Sequence, residues 1–140
     1  MHKNFFHKIK VYYEDTDAGG VVYYANYLKF LERARSEALV TLGFNNKKIK
    51  EDFGSLIVVK SCNIEFKKPA YLEDEINVRS FVKSTSKTSF FMSQFISRND
   101  ILIVEAKVHL VFINIYGKPM RIPKNLFEDF KPYFCESIKV

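Results

Sequence analysis

The chain has 140 residues, 47% of them hydrophobic and 16% aromatic, with 22 basic against 16 acidic side chains and a formal charge of +6. That length supports one hydrophobic core rather than two, so a single domain over residues 1–140 is expected, and the apolar content excludes a disordered or low-complexity chain. The charge suits an anionic partner, but Lys and Arg occur in ones and twos, as at Lys47-Lys48 and Lys67-Lys68, without the dense block of a nucleic-acid-binding arm.

His2, Lys3 and Asn4 follow Met1, and no apolar run fit for a signal peptide comes after them. No stretch reaches the roughly 20 apolar residues that cross a bilayer. A cytoplasmic protein with no transmembrane segment is expected, its Cys62 and Cys135 reduced and without metal-ligand spacing.

Phe5 to Glu14 reads as a strand, ended by the acids and glycines of Asp15 to Gly20. From Asn26 the period changes to that of a helix. Tyr27, Leu31, Ala34, Ala38 and Leu42 form one stripe, with Phe30 and Leu39 beside it; Asn26 is placed to cap this helix and Gly43 to stop it. A polar segment from Asn45 to Asp52 has room for one or two helical turns. Four strand-like runs follow, over Ser55–Lys67, Glu75–Lys83, Thr88–Ser97 and Leu102–Ile115. In the last, Val104, Ala106, Val108, Leu110 and Phe112 alternate with polar residues, the mark of a sheet with one buried face. The separators are short turn-formers, so neighbouring strands should pair antiparallel. Lys124 to Phe134 has the pattern of a short terminal helix. Strand, helix and four strands give an α+β protein whose antiparallel sheet buries its apolar face by curling around the one long helix; other α+β packings share this order.

The chemistry concentrates at Val11 to Tyr27, where acids, glycines and tyrosines meet just ahead of the long helix. Gly19 and Gly20 allow close backbone approach, and the helix start offers N–H groups that stabilise a developing oxyanion. A carboxylate held there can serve as nucleophile or as general base for water. The same residues also suit a plain Asx turn. A calcium loop fails, because Gly19 and Asn26 stand where ligands are required. The histidines show no metal spacing, and serine-elbow, P-loop and dinucleotide motifs are missing. The Phe-rich strand around Phe90-Phe91-Met92 lacks the pattern of an RNA-recognition motif.

Tyr12 to Leu28, reading YYEDTDAGGVVYYANYL, closely resembles the signature of the hotdog-fold acyl-CoA thioesterases, most of all the YbgC-type branch of the 4-hydroxybenzoyl-CoA thioesterase family. Glu32 to Glu37, Phe66 to Ala70, Leu72 to Glu75 and Gly117 to Pro123 continue the likeness along nearly the whole chain. The resemblance implies a hotdog fold, a five-stranded antiparallel sheet wrapped around one long central helix. It further implies hydrolysis of short- or medium-chain or aromatic acyl-CoA, with Asp17 as the catalytic carboxylate. Backbone N–H groups around Tyr24 and Ala25 would polarise the carbonyl, Tyr13 would line the acyl site, and Gly20, Val21 and Asn26 would complete the substrate position. Many relatives carry histidine where Tyr24 stands, which bears on any histidine-assisted step. No cofactor is implied beyond the coenzyme A of the substrate, and Lys60, Lys83 and Lys87 are candidates for its phosphates. The family also implies a homodimer with a site at the subunit interface, often assembled into a tetramer as a dimer of dimers. Binding of acyl-CoA or of acyl carrier protein without hydrolysis is the alternative function.

Overall fold

The computed structural model describes residues 2–135. Its elements in chain order are β1 (Phe5–Lys10), a 3-10 turn (Tyr13–Asp15), α1 (Asn26–Thr41), α2 (Asn46–Phe53), β2 (Leu56–Phe66), β3 (Glu75–Thr85), β4 (Ser89–Arg98), β5 (Ile101–Ile113), α3 (Lys124–Phe130) and a final 3-10 turn (Lys131–Tyr133). The strands form one sheet in the order β1-β3-β4-β5-β2, and every pairing is antiparallel. This is the expected α+β architecture of a curled sheet around one long helix.

The two periodicities meet in the core. From α1 come Tyr27, Phe30, Leu31, Ala34, Ala38 and Leu39; from the sheet come Ile76, Val78, Val82, Met92, Ile96, Val104, Val108 and Phe112, all buried. Leu42, the last residue of the expected stripe, is only half-buried. Ser80 and Gln94 stand at core positions where an apolar residue fits the pattern. Gln94 is wholly buried, and its Nε2 donates to Leu31 O and to Ser80 Oγ, both at 3.1 Å, while its Oε1 accepts from Arg35 at 3.0 Å. Each buried polar atom is thereby paired, which removes the desolvation cost of leaving it unmade.

Two boundaries differ from the sequence reading. The first strand stops at Lys10 rather than Glu14, because Lys10 faces Glu75, where β3 begins. Beyond it the buried Asp15 carboxylate accepts the Tyr12 N–H at 2.9 Å, drawing Tyr13–Asp15 into a turn. Asn26 is not the cap of α1. Ala25 already has helical φ and ψ, and no side chain caps the helix; Asn26 opens the helix and directs its amide elsewhere. The capping chemistry appears instead at α2, where the Asn45 side chain accepts the Lys48 N–H at 2.7 Å.

β2, like the shorter β1, is an edge of the sheet. Among the described residues it pairs with β5 on one side only, and along it Leu56, Val58, Val59 and Phe66 are exposed. An 11-residue apolar edge with free backbone groups is a pairing surface. No helix of the described residues is long and apolar enough to cross a membrane.

Candidate active site

Of the acids before α1, Asp15 and Asp17 have different environments. Asp15 is buried, and its two carboxylate oxygens are taken: Oδ2 by the Tyr12 N–H and Oδ1 by Nδ2 of Asn26 at 2.8 Å. It ties the entering chain to the first turn of α1. Asp17 is exposed, with Oδ1 accepting the Gly19 N–H at 2.8 Å and Oδ2 uncommitted among the described residues. The Asx turn and the available carboxylate are thus the same group.

The turn carrying Asp17 is built by backbone pairing. Asp17 N–H donates to Val21 O at 2.9 Å, Gly20 N–H to Asp17 O at 3.1 Å, and Thr16 bridges Val22. Gly20 has φ of +79°, a conformation strained for residues with a side chain, and a Cβ on Gly19 would sit 3.3 Å from the Asp17 carboxylate. The far side of the turn is templated by residues 69–74. Val22 N–H donates to Ala70 O, Leu72 N–H donates to Gly20 O, and Val21 bridges Tyr71. That segment is itself held from two directions. The Tyr27 hydroxyl accepts the Ala70 N–H at 3.1 Å, and Arg98 donates to Pro69 O at 3.1 Å and to Asp74 Oδ2 at 2.7 Å. Burial pushes the Tyr27 phenol above its ordinary pKa, against the opposing pull of the Ala70 amide.

At the start of α1, Asn26, Tyr27 and Leu28 donate to the carbonyls of Tyr23, Tyr24 and Ala25. The N–H groups of Tyr24 and Ala25 donate to nothing among the described residues. Tyr24 lines a cleft of about 290 Å³ together with Val22, Tyr27, Phe66, Lys67 and Pro69. The Tyr24 ring meets Phe66 edge-on at 6.1 Å, and Tyr27 meets it at 5.7 Å. A hydrogen bond with Tyr24 raises the pKa of the exposed Tyr23 phenol above its ordinary value.

A family model described as the thioesterase-like superfamily matches residues 11–130. The chain belongs to this family. An acyl-CoA thioesterase, YbgC, of Haemophilus influenzae is 36% identical over 127 residues, 90% of this chain and 93% of the relative. The acyl-CoA thioester hydrolase YbgC of Escherichia coli O157:H7 is 36% identical over 125 residues, 88% of this chain and 92% of that one. A solved structure described as a probable thioesterase from Bartonella henselae superposes with a TM-score of 0.84 at 36% identity, covering 86% of this chain and all of that one. Membership of the thioesterase-like superfamily bears out both the resemblance read from Tyr12–Leu28 and the hotdog fold.

Within this family member, the structure gathers Asp17, Gly20, Val21, Tyr24, Ala25 and Asn26 on one turn and one helix start. Tyr13 lies on the adjoining 3-10 turn and is 81% exposed. Lys60, Lys83 and Lys87 are not beside it in the same chain. Lys83 lies eight residues along β3 from Glu75, about 26 Å at the rise of a strand. Lys87 is in the β3–β4 turn, beside Arg121 and Lys124. Lys67, in the cleft wall, belongs to the Phe66 to Ala70 motif, whereas Arg98 carries no local signal. Among the described residues no group of three or more His, Cys, Asp or Glu could hold a metal.

The Asp15–Asn26 link gives a stability prediction. Asn26→Ala leaves a buried carboxylate oxygen without its partner and is expected to cost about 2 kcal/mol, read from urea unfolding. A change below about 0.5 kcal/mol would show that the link does not hold the turn to the helix.

Proposed function

We propose that this protein is an acyl-CoA thioesterase in which Asp17 and the Tyr24 and Ala25 amides act on one thioester carbonyl. The observation that carries the reading is the pairing of an uncommitted carboxylate oxygen with two unengaged N–H groups, a turn apart in the same segment. The amides stabilise the oxyanion as the carbonyl becomes tetrahedral. The carboxylate either attacks the carbonyl carbon, forming an anhydride and releasing the coenzyme A thiolate before water cleaves it, or takes a proton from water that attacks directly. In both routes the products are the free acid and coenzyme A thiol.

A carboxylate open to bulk water is poorly placed for this chemistry, and closure of a site strengthens its electrostatics. The exposed β2 edge supplies the means. Two copies pairing full length and antiparallel along β2 place their two-fold axis at Ser61, the middle residue, and set Phe66 beside the partner's Leu56. The helix start of one chain then meets the end of the other that bears Lys87 in the β3–β4 turn, while Lys60 lies beside the axis and Lys83 toward the end of β3. Those lysines would hold the coenzyme A phosphates across the interface. The working unit is a homodimer, assembled further as a dimer of dimers, in the cytoplasm.

Thiol release from a panel of acetyl, butanoyl, hexanoyl and benzoyl thioesters tests the reading. Turnover of at least one member, with coenzyme A and free acid in equal amounts, is expected. Tight binding of the panel, or of acyl carrier protein, with no thiol released would instead make this a binding protein.

A further inference from the structure

Tyr27 carries a buried hydroxyl whose proton is unspent. The residue is 4% exposed, yet it forms part of the wall of the cleft at the start of α1. In a helix a side chain leans toward the N-terminus, so the Tyr27 ring lies over the turn that carries Tyr24. Phe66 at 5.7 Å and Phe30 at 6.0 Å hold that ring in place. The Ala70 N–H, on the peptide that follows Pro69 of the cleft wall, donates to Tyr27 Oη at 3.1 Å. This bond fixes the oxygen and leaves the hydroxyl's own hydrogen to be donated, and it meets no acceptor among the described residues. Buried hydroxyls are normally satisfied, so a donor held at the edge of a cleft points to an acceptor on a ligand.

The rest of the wall tells which part of a thioester enters the cleft. Lys67 and Lys68 line it as well; Lys67 pairs with Glu65 at 3.6 Å, while Lys68 has no ion pair among the described residues. A cationic rim suits the thiol portion of the substrate, which bears phosphates, better than an uncharged acyl group. We propose that Tyr27 is a catalytic residue whose hydroxyl donates a hydrogen bond to the leaving sulfur as the C–S bond breaks. This rests on the thioesterase reading above. The electron pair of that bond stays on sulfur, and the O–H meets the growing charge between the Tyr24 and Phe66 rings, where water screens it little. The phenol keeps its proton. Burial raises its pKa, opposed by the Ala70 amide and Arg98 and reinforced by Asp74, and the last two are paired with each other at 2.7 Å. A thiol has a pKa of about 8.5, so the released thiolate takes its proton from water, and the products are free acid and thiol in equal amounts.

Thioesters of one acid with two thiols test the contact. N-acetylcysteamine is a poor leaving group, whereas para-nitrothiophenol spreads the charge of its sulfur into the ring and needs little help. Tyr27→Phe is expected to lower kcat/KM about 30-fold for the N-acetylcysteamine thioester, the effect of one charge-assisted hydrogen bond, and less than about threefold for the nitrothiophenyl thioester. The variant also leaves the Ala70 N–H unpaired, but a merely loosened segment slows both substrates alike. Difluorotyrosine at position 27, with both fluorines beside the hydroxyl, keeps the oxygen that accepts from Ala70 and lowers the phenol's pKa. Its rate on the N-acetylcysteamine thioester should therefore fall at a lower pH than that of the wild type, because the donor is lost as the phenol ionises. Equal losses on both thioesters, no loss on either, or an alkaline limb that the fluorines do not move would each overturn the role of Tyr27 while leaving hydrolysis standing. A wild type that releases no thiol would overturn the thioesterase reading with it.

Discussion

Asp17→Asn should reduce thiol release by about 10³-fold or more at saturating substrate, with the melting temperature within about 2 °C of the wild type. The substitution keeps the turn. An amide oxygen still accepts the Gly19 N–H that the Asp17 carboxylate accepts at 2.8 Å, and the pairing of Asp17 with Val21 and Gly20 is made by backbone alone. The loss falls on chemistry, since an amide is neither a useful nucleophile nor a base. Binding of acyl-CoA should persist, so kcat falls much more than KM changes. Because Asp15 is buried and has both oxygens engaged, Asp15→Asn should show the opposite signature, a loss of stability ahead of any loss in rate. A wild-type rate in the Asp17→Asn protein would remove the residue from the mechanism.

Ser61→Lys should separate the subunits and lower turnover about 100-fold. Pairing about Ser61 would set two lysines directly opposite each other on facing strands, their Cβ atoms roughly 5 Å apart, which is destabilising for like charges. Added salt should restore part of both the dimer and the rate, as screening predicts. Ser61→Ala supplies the control and should remain dimeric. Light scattering of the eluting protein together with the thiol assay reads both effects. A monomer with full activity would show that one chain suffices and that the lysines of the hairpin end have no part in the site.

The elements with strong periodicity were legible in the sequence. The 3.6-residue stripe from Tyr27 to Leu39 and the strict alternation from Val104 to Phe112 are packed against each other in the core. What escaped is what depends on distant pairing. Asn26 has the residue type of a cap, but its amide is captured by Asp15, eleven residues earlier, and that preference overrides the local one. Arg98 reaches back to Pro69 and Asp74 to brace the segment that templates Gly20–Val22, and neither partner is near it in the sequence. The run Leu56-Ile57-Val58-Val59 reads as a strand, and three of its four residues are exposed at an edge of the sheet, a position the pattern alone does not give. Its apolar content makes sense against a second copy, which single-chain patterning does not reveal. The signature segment itself was legible because its chemistry is local: two acids, two glycines and the start of a helix within a dozen residues.

The most direct test is a crystal structure of the Asp17→Asn protein with an uncleaved acyl-CoA bound. The thioester oxygen is expected within about 3 Å of the Tyr24 and Ala25 nitrogens, and its carbonyl carbon within about 3.5 Å of the substituted side chain. A carbonyl bound away from the start of α1, with the side chain at position 17 turned out to solvent, would contradict the account.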